Sequence, residues 1–116
     1  MTKKERFALI KLYDTQVELA TAIKKYEVLS HADLDKIDPI VRRGMIHAVA
    51  DIFELTIPLS DEIKTKLALN NDITKQFRNI VAHRYGTMTN PIAFACIHHC
   101  IDKVLMKTVK ELSCHV

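Results

Sequence analysis

Glycine and proline are scarce in this sequence, and this scarcity is what most constrains the fold. The chain has only two glycines and three prolines, so long loops and low-complexity linkers are not expected. The first segment, Lys3 to Glu27, contains neither residue type. Its apolar residues recur at spacings of three or four, which predicts a long amphipathic helix. The predicted apolar face consists of Phe7, Ile10, Tyr13, Val17, Ala20 and Ile23.

Start and stop signals divide the middle of the chain. Residues 28–36 form a polar connection or a short helical turn. Asp38-Pro39 combines a capping residue with a proline at the first helical position, and predicts a helix that continues to about Thr56. Its apolar positions are Val41, Met45, Ala48, Val49, Ile52 and Leu55. Pro58 must break or kink this helix, because proline lacks the backbone N–H group. Ser60 can then begin a short continuation over residues 63–69.

The remaining segments contain similar signals for helix starts and ends. A turn and cap cluster at residues 70–72 precedes a helix from Ile73 to about Tyr85, which Gly86 ends in the C′ position. Asn90-Pro91 repeats the signal of a cap followed by proline and predicts a last helix to about Ser113.

Composition supports an all-α class. Helix formers dominate, tryptophan is absent and aromatic residues make up 6% of the chain, whereas sheets draw on aromatic and β-branched residues. A chain of 116 residues has room for one core and is expected to form a single domain, residues 1–116. The sequence thus predicts an antiparallel helical bundle of four main helices plus a short kinked continuation.

Two further properties bear on location and partners. No secretory signal and no apolar run long enough to cross a bilayer is present, and three cysteines suit a reducing compartment. We therefore expect a cytoplasmic protein without a membrane partner. The net charge of +3 is compatible with a polyanionic ligand but equally with an ordinary solvated surface.

The helix over residues 73–85 carries the strongest chemical signal. At about 100° per residue, Ile73, Phe77, Ile80 and Val81 form its apolar stripe. Arg78 and Tyr85 flank this stripe on one side, and Asn79 and His83 flank it on the other, with the small Ala82 between the two flanks. A phosphodiester fits such a trough. A solvated helix face with a histidine near its end is the alternative interpretation.

These residues read R-N-x-x-x-H-x-Y, a pattern that resembles the motif of the HEPN superfamily, and specifically its HepT-like toxin branch. Ile52-Phe53-Glu54-Leu55, followed by residues 59–63, is similar to a second segment of that family. Phe53 departs from it, because the family usually has glycine at this position. The resemblance covers residues 38–86 well and the outer helices only by pattern.

The resemblance implies a metal-independent endoribonuclease that acts as a homodimer, with two motif helices facing each other across a two-fold cleft. His83 would transfer protons and Arg78 would stabilise the anionic phosphorane. Asn79 and Glu54 would support these groups or bind the substrate. No cofactor is implied.

The resemblance also implies a biological setting. The chain would be the toxin of a type VII-like toxin–antitoxin system, and its partner would be an MntA-type minimal nucleotidyltransferase that attaches AMP to Tyr85. The alternative is a non-catalytic helical partner that binds such a transferase and presents substrate to it.

A cluster of cysteine and histidine residues near the C-terminus has two interpretations. Cys96, His99 and Cys100, with Cys114 and His115 further along, could supply soft metal ligands. Cys96 and Cys100 also continue an apolar stripe of the last helix, and we favour this packing role, with no metal site.

Overall fold

The computed structural model describes residues 1–69, 72–84, 88–101 and 103–114, without the side chains of residues 73, 84, 103 and 104. These residues are all-helical and contain no strand. The helices are α1 (Lys3–Lys25), a 3-10 helix (His31–Asp35), α2 (Pro39–Leu55), α3 (Asp61–Lys66), α4 (Asp72–Arg84), α5 (Asn90–Cys100) and α6 (Lys103–Cys114). Helix α1 packs against α2 and α6, and α2 also packs against α4 and α5. The predicted all-α class is confirmed.

Local capping explains where the helices begin. Thr2 and Glu5 form a reciprocal capping box at the start of α1, with both hydrogen bonds at 3.1 Å. The Asp38 carboxylate accepts a hydrogen bond of 2.8 Å from the Ile40 N–H group, and the Ser60 hydroxyl caps α3. Since each cap satisfies an N–H group that the helix leaves unpaired, the predicted helix starts at Asp38-Pro39 and Ser60 are confirmed.

The predicted core face of α1 is wrong at three of its six positions, whereas Tyr13 and Ile23 are partly buried against the core as predicted. Phe7, Ile10 and Val17 are 62%, 42% and 37% exposed, whereas a different stripe of the same helix is buried. The buried residues of α1 are Glu5, Ala8, Leu9, Leu12, Gln16 and Leu19. Both stripes have helical spacing, and the buried one was overlooked because it includes two polar residues.

Distant backbone groups make this buried polar content possible. The Gln16 amide donates a hydrogen bond of 2.9 Å to the Cys100 carbonyl, and the Glu5 carboxylate accepts one of 3.0 Å from the Ser60 N–H group. Such a hydrogen bond lowers the cost of burying a polar group, although Oε1 of Gln16 is buried without a partner among the described residues. Helix α1 therefore buries its leucine stripe together with Glu5 and Gln16.

The core continues along α2 as predicted. Met45, Val49 and Ile52 are buried, and Val41, Ala48 and Leu55 are partly buried against them. Ile46 and Phe53 of the same helix are also buried.

The prediction of one last helix over residues 90–113 is wrong. Helix α5 ends at Cys100 and α6 begins at Lys103. The Cys100 carbonyl accepts the hydrogen bond from Gln16, so α1 supplies a partner for a carbonyl at the end of α5. No glycine or proline marks this break in the sequence.

Two helices end in a left-handed residue that is not glycine. Glu27, after α1, has φ of 53°, and Ala68, after α3, has φ of 57°. After α1, the Val28 N–H group bonds to the Ile23 carbonyl at 3.0 Å. After α3, the Leu69 N–H group bonds to the Lys64 carbonyl at 2.8 Å. Each end thus has the backbone hydrogen bonds of a Schellman motif, followed by a buried apolar residue, Val28 or Leu69.

Across the described ranges, no helix combines the length and the apolar content that spanning a bilayer requires. The predicted stop at Gly86 and the turn at Asn70-Asn71 lie outside the described residues.

Candidate functional site

The inner face of α4 fixes the orientation of the motif helix. Thr74 and Val81 are buried, and Phe77 and Ile80 are partly buried against the core. The Thr74 hydroxyl lies 3.2 Å from the Ala68 carbonyl oxygen and 3.0 Å from Nε2 of His99. The Phe77 ring centroid is 4.9 Å from that of His99. Sequence reasoning did not identify this role of Thr74, because its partners lie on two other elements.

Arg78 lines an open groove of about 240 Å³ between α2 and α4. Val81 and Ala82 form the α4 side of the groove together with Arg78. The opposite side is formed by α2 and the turn after it, through Ala50, Phe53, Glu54 and Ile57. The walls are thus largely apolar, with one guanidinium and one carboxylate. The structure brings the sequence-predicted residues Arg78 and Glu54 together at this groove.

Asn79 and His83 lie on a different surface of α4. Both side chains are exposed, and neither lines the groove. Successive residues of an α-helix are about 100° apart, so Asn79 and His83 differ by about 40° and share the solvent face, whereas Arg78 and His83 differ by about 140°. Ala82 is exposed on the helix surface between Arg78 and His83, as the helical wheel of the sequence predicts. Tyr85, the predicted modification target, lies outside the described residues.

The charged groups of the groove are available for a ligand. Among the described residues, no hydrogen bond or ion pair engages the Arg78 guanidinium or the Glu54 carboxylate. Glu54 is exposed and Arg78 is half-buried. An arginine in this setting can present its planar donors to a phosphate or carboxylate group.

A hydrogen-bonded network ties the segment after the motif to α2. The Arg42 guanidinium donates to the Asn90 side-chain oxygen and, at 2.7 Å, to the Met88 carbonyl. The Asn90 amide nitrogen donates in turn to the carboxylate of Asp35. The sequence suggested Asn90 as a helix cap, but Thr89 occupies the cap position, and Asn90 bridges two other elements.

The described residues hold no group of three or more potential metal-ligating side chains. Cys96 and Cys100 are buried in the core, and burial raises the pKa of the Cys96 thiol to about 11. The pKa of Cys100 is also raised, first by burial and then by the neighbouring Cys96. Both thiols are therefore protonated in the core, where they pack as small apolar side chains. His115 lies outside the described residues.

No protein-family model, curated protein or solved structure matches this chain significantly.

Proposed function

We propose that this protein is a metal-independent endoribonuclease of the HEPN type, a cytoplasmic toxin that acts as a homodimer of helical bundles. One observation carries the proposal. Arg78, Asn79 and His83, spaced as R-N-x-x-x-H, lie on one helix whose inner face is buried, and each is at least partly accessible. A flexible polymer such as RNA can reach all three.

The chemistry needs only a proton shuttle and a cationic clamp. The 2′-oxygen of RNA attacks the adjacent phosphorus, its proton passes to a base, and the 5′-oxygen leaves with a proton. The products are a 2′,3′-cyclic phosphate and a 5′-hydroxyl. His83 suits the proton transfers, because one imidazole nitrogen can accept a proton and the other can donate one. Arg78 suits stabilisation of the pentacovalent phosphorane through bidentate contacts.

The proposed dimer would account for the separate positions of Arg78 and His83 around α4. In one chain, Arg78 faces the groove while His83 lies about 140° further around the helix, so the two groups diverge. A two-fold axis that pairs two α4 helices would bring Arg78 of one protomer toward His83 of its partner. Two guanidinium and two imidazole groups would then border a single cleft, and RNA binding should weaken steeply with salt.

The test is cleavage of RNA by the purified protein in the presence of a chelator. We expect His83→Ala and Arg78→Ala each to lower the rate by about 10² to 10⁴-fold, with unchanged helical circular dichroism. His47→Ala and Arg43→Ala remove the same side-chain types from exposed positions on α2 and should retain full activity. Wild-type rates in the His83 and Arg78 variants would reject the proposal.

The proposed regulation is adenylylation of Tyr85 by an MntA-type nucleotidyltransferase. On the helical wheel of the sequence, Tyr85 shares the flank of Arg78, so an attached phosphate would compete for the guanidinium. After co-expression with such a transferase, mass spectrometry should find AMP on Tyr85, with loss of cleavage. Tyr85→Phe should stay unmodified and active. An unmodified wild-type protein would count against this regulation.

The alternative is a non-catalytic partner of the transferase, and one observation favours it. Helix α1 presents Phe7, Ile10 and Val17 to solvent, a surface suited to protein contact. Stable binding to the transferase by a chain without ribonuclease activity would support this alternative.

A further inference from the structure

The groove between α2 and α4 has opposite charges at an apolar cavity. We propose that it binds a guanine nucleotide of the RNA strand, with the base in the groove beside Glu54 and the phosphate on Arg78. This inference rests on the proposed ribonuclease function and specifies its substrate. It assigns a selective role to Glu54 that proton transfer does not require.

The walls of the groove suit a flat apolar ring. Ala50, Phe53, Val81 and Ala82 line it, and a nucleobase that enters it removes its apolar faces from water. Ile57 is 64% exposed at the same groove, so a bound base would also cover this side chain. These contacts favour any base and do not discriminate among the four.

The carboxylate of Glu54 supplies the discrimination. An ionised carboxylate only accepts hydrogen bonds, and its two oxygens match two parallel donors. Guanine presents such a pair on its Watson–Crick edge, N1–H beside the exocyclic N2–H. Adenine, cytosine and uracil each present at least one acceptor next to a donor on that edge, and the acceptor would face the carboxylate unfavourably.

The guanidinium of Arg78 completes the match. It lines the same groove as Glu54 but does not pair with it. A nucleotide carries its hydrogen-bond donors on the base and its negative charge on the phosphate, so one nucleotide can satisfy both protein groups. This complementarity selects a nucleotide over a purely apolar ligand, which would leave both charges without partners.

The first experiment maps cleavage sites by sequencing the ends of products from an RNA of mixed composition. We expect the wild-type protein to prefer guanine beside the scissile phosphate by at least roughly fivefold, the lower end for a bidentate base contact. Glu54→Gln should shift this preference toward adenine, because a glutamine amide pairs its donor and acceptor with those of adenine. Asp51→Asn changes the same charge at an exposed position one turn earlier on α2 and should leave the preference unchanged.

A second measurement separates this inference from the ribonuclease proposal. His83→Ala protein is titrated with each of the four nucleoside monophosphates, followed by NMR. We expect guanosine monophosphate to bind most tightly, with shifts at Ala50 and Ala82, and Glu54→Gln to abolish this selectivity. Selective binding without any RNA cleavage would support the groove and reject the nuclease. Cleavage without base preference, together with equal binding of the four nucleotides, would overturn the groove proposal.

Discussion

The two faces of α1 make opposite predictions for a pair of alanine substitutions. Leu12 is 1% exposed, whereas Phe7 is 62% exposed. Leu12→Ala removes buried methyl groups and leaves a cavity, so it should lower the free energy of unfolding by about 3 kcal/mol. Phe7→Ala loses a contact with Lys11, whose ammonium lies 5.8 Å from the ring centroid, worth about 0.5–1 kcal/mol. It gains about 0.5 kcal/mol of helix propensity, and the net change should be close to zero.

Urea unfolding followed by far-UV circular dichroism measures both changes, and thermal unfolding provides a second scale. At about 4 °C per kcal/mol for a chain of this size, Leu12→Ala should lower Tm by roughly 12 °C, and Phe7→Ala should leave it nearly unchanged. Both proteins should be compared at low concentration, since association would protect Phe7. Equal losses for the two variants at low concentration would refute the assignment of the buried face.

Three further predictions concern the network, the acid response and the thiols. Asn90→Asp should lower the thermal stability of the chain, because it places two carboxylates in contact. Adding Asp35→Asn should restore that stability, because the amide introduced at position 35 can donate to the carboxylate introduced at position 90. A double variant as unstable as the single one would contradict the network. Hydrogen bonds from the backbone N–H groups of Thr2 and Ser60 hold the pKa of Glu5 below its ordinary value of 4.5. This carboxylate therefore stabilises the fold above pH 4.5, and the stabilisation disappears as pH falls through the lowered value. Glu5→Gln should flatten the acid limb of a stability–pH profile, and an unchanged limb would argue against this role. Cys114 is exposed, and it should be the thiol that an alkylating reagent modifies in the native chain, with peptide mapping as the readout; rapid labelling of a core cysteine would disprove this.

Local chemistry explains what the sequence could predict about the fold. A cap hydrogen bond joins atoms two or three residues apart, as between Asp38 and Ile40 or between Ser60 and Ile63. The residues responsible are therefore adjacent in the sequence, and the helix starts could be identified from it. The apolar positions of α2 were correct for a related reason, since that helix has a single apolar stripe.

Long-range partners explain the errors. Gln16 and Glu5 are compatible with burial only because Cys100 and Ser60 meet them from 84 and 55 residues away. A periodicity argument counts such residues as polar and assigns the core to the other stripe. The break between α5 and α6 has no local signal either, because the group that donates to the Cys100 carbonyl at this break is Gln16 on α1.

The candidate site likewise has one part that could be predicted from the sequence and another that could not. Arg78, Asn79 and His83 follow from the motif, because they lie within one helix. The groove beside Arg78 depends on how α2 packs against α4 and on the bulk of Phe53. Neither can be read from spacing along the chain. The bridge from Arg42 to Asn90, 48 residues apart, is likewise a tertiary feature without a local signal.

The left-handed residue after α1 has a practical consequence for engineering. An L-residue in this conformation costs about 1–2 kcal/mol relative to glycine, only partly offset by the greater chain entropy that glycine loses on folding, about 0.5–1 kcal/mol. Glu27 is exposed, so glycine could replace it without disturbing the core. Replacing Glu27 by glycine should thus raise the free energy of unfolding, at a position far from α4 in the sequence. The single substitution Glu27→Gly should therefore give a more stable protein, in which destabilising substitutions on α4 can be studied while the chain stays folded.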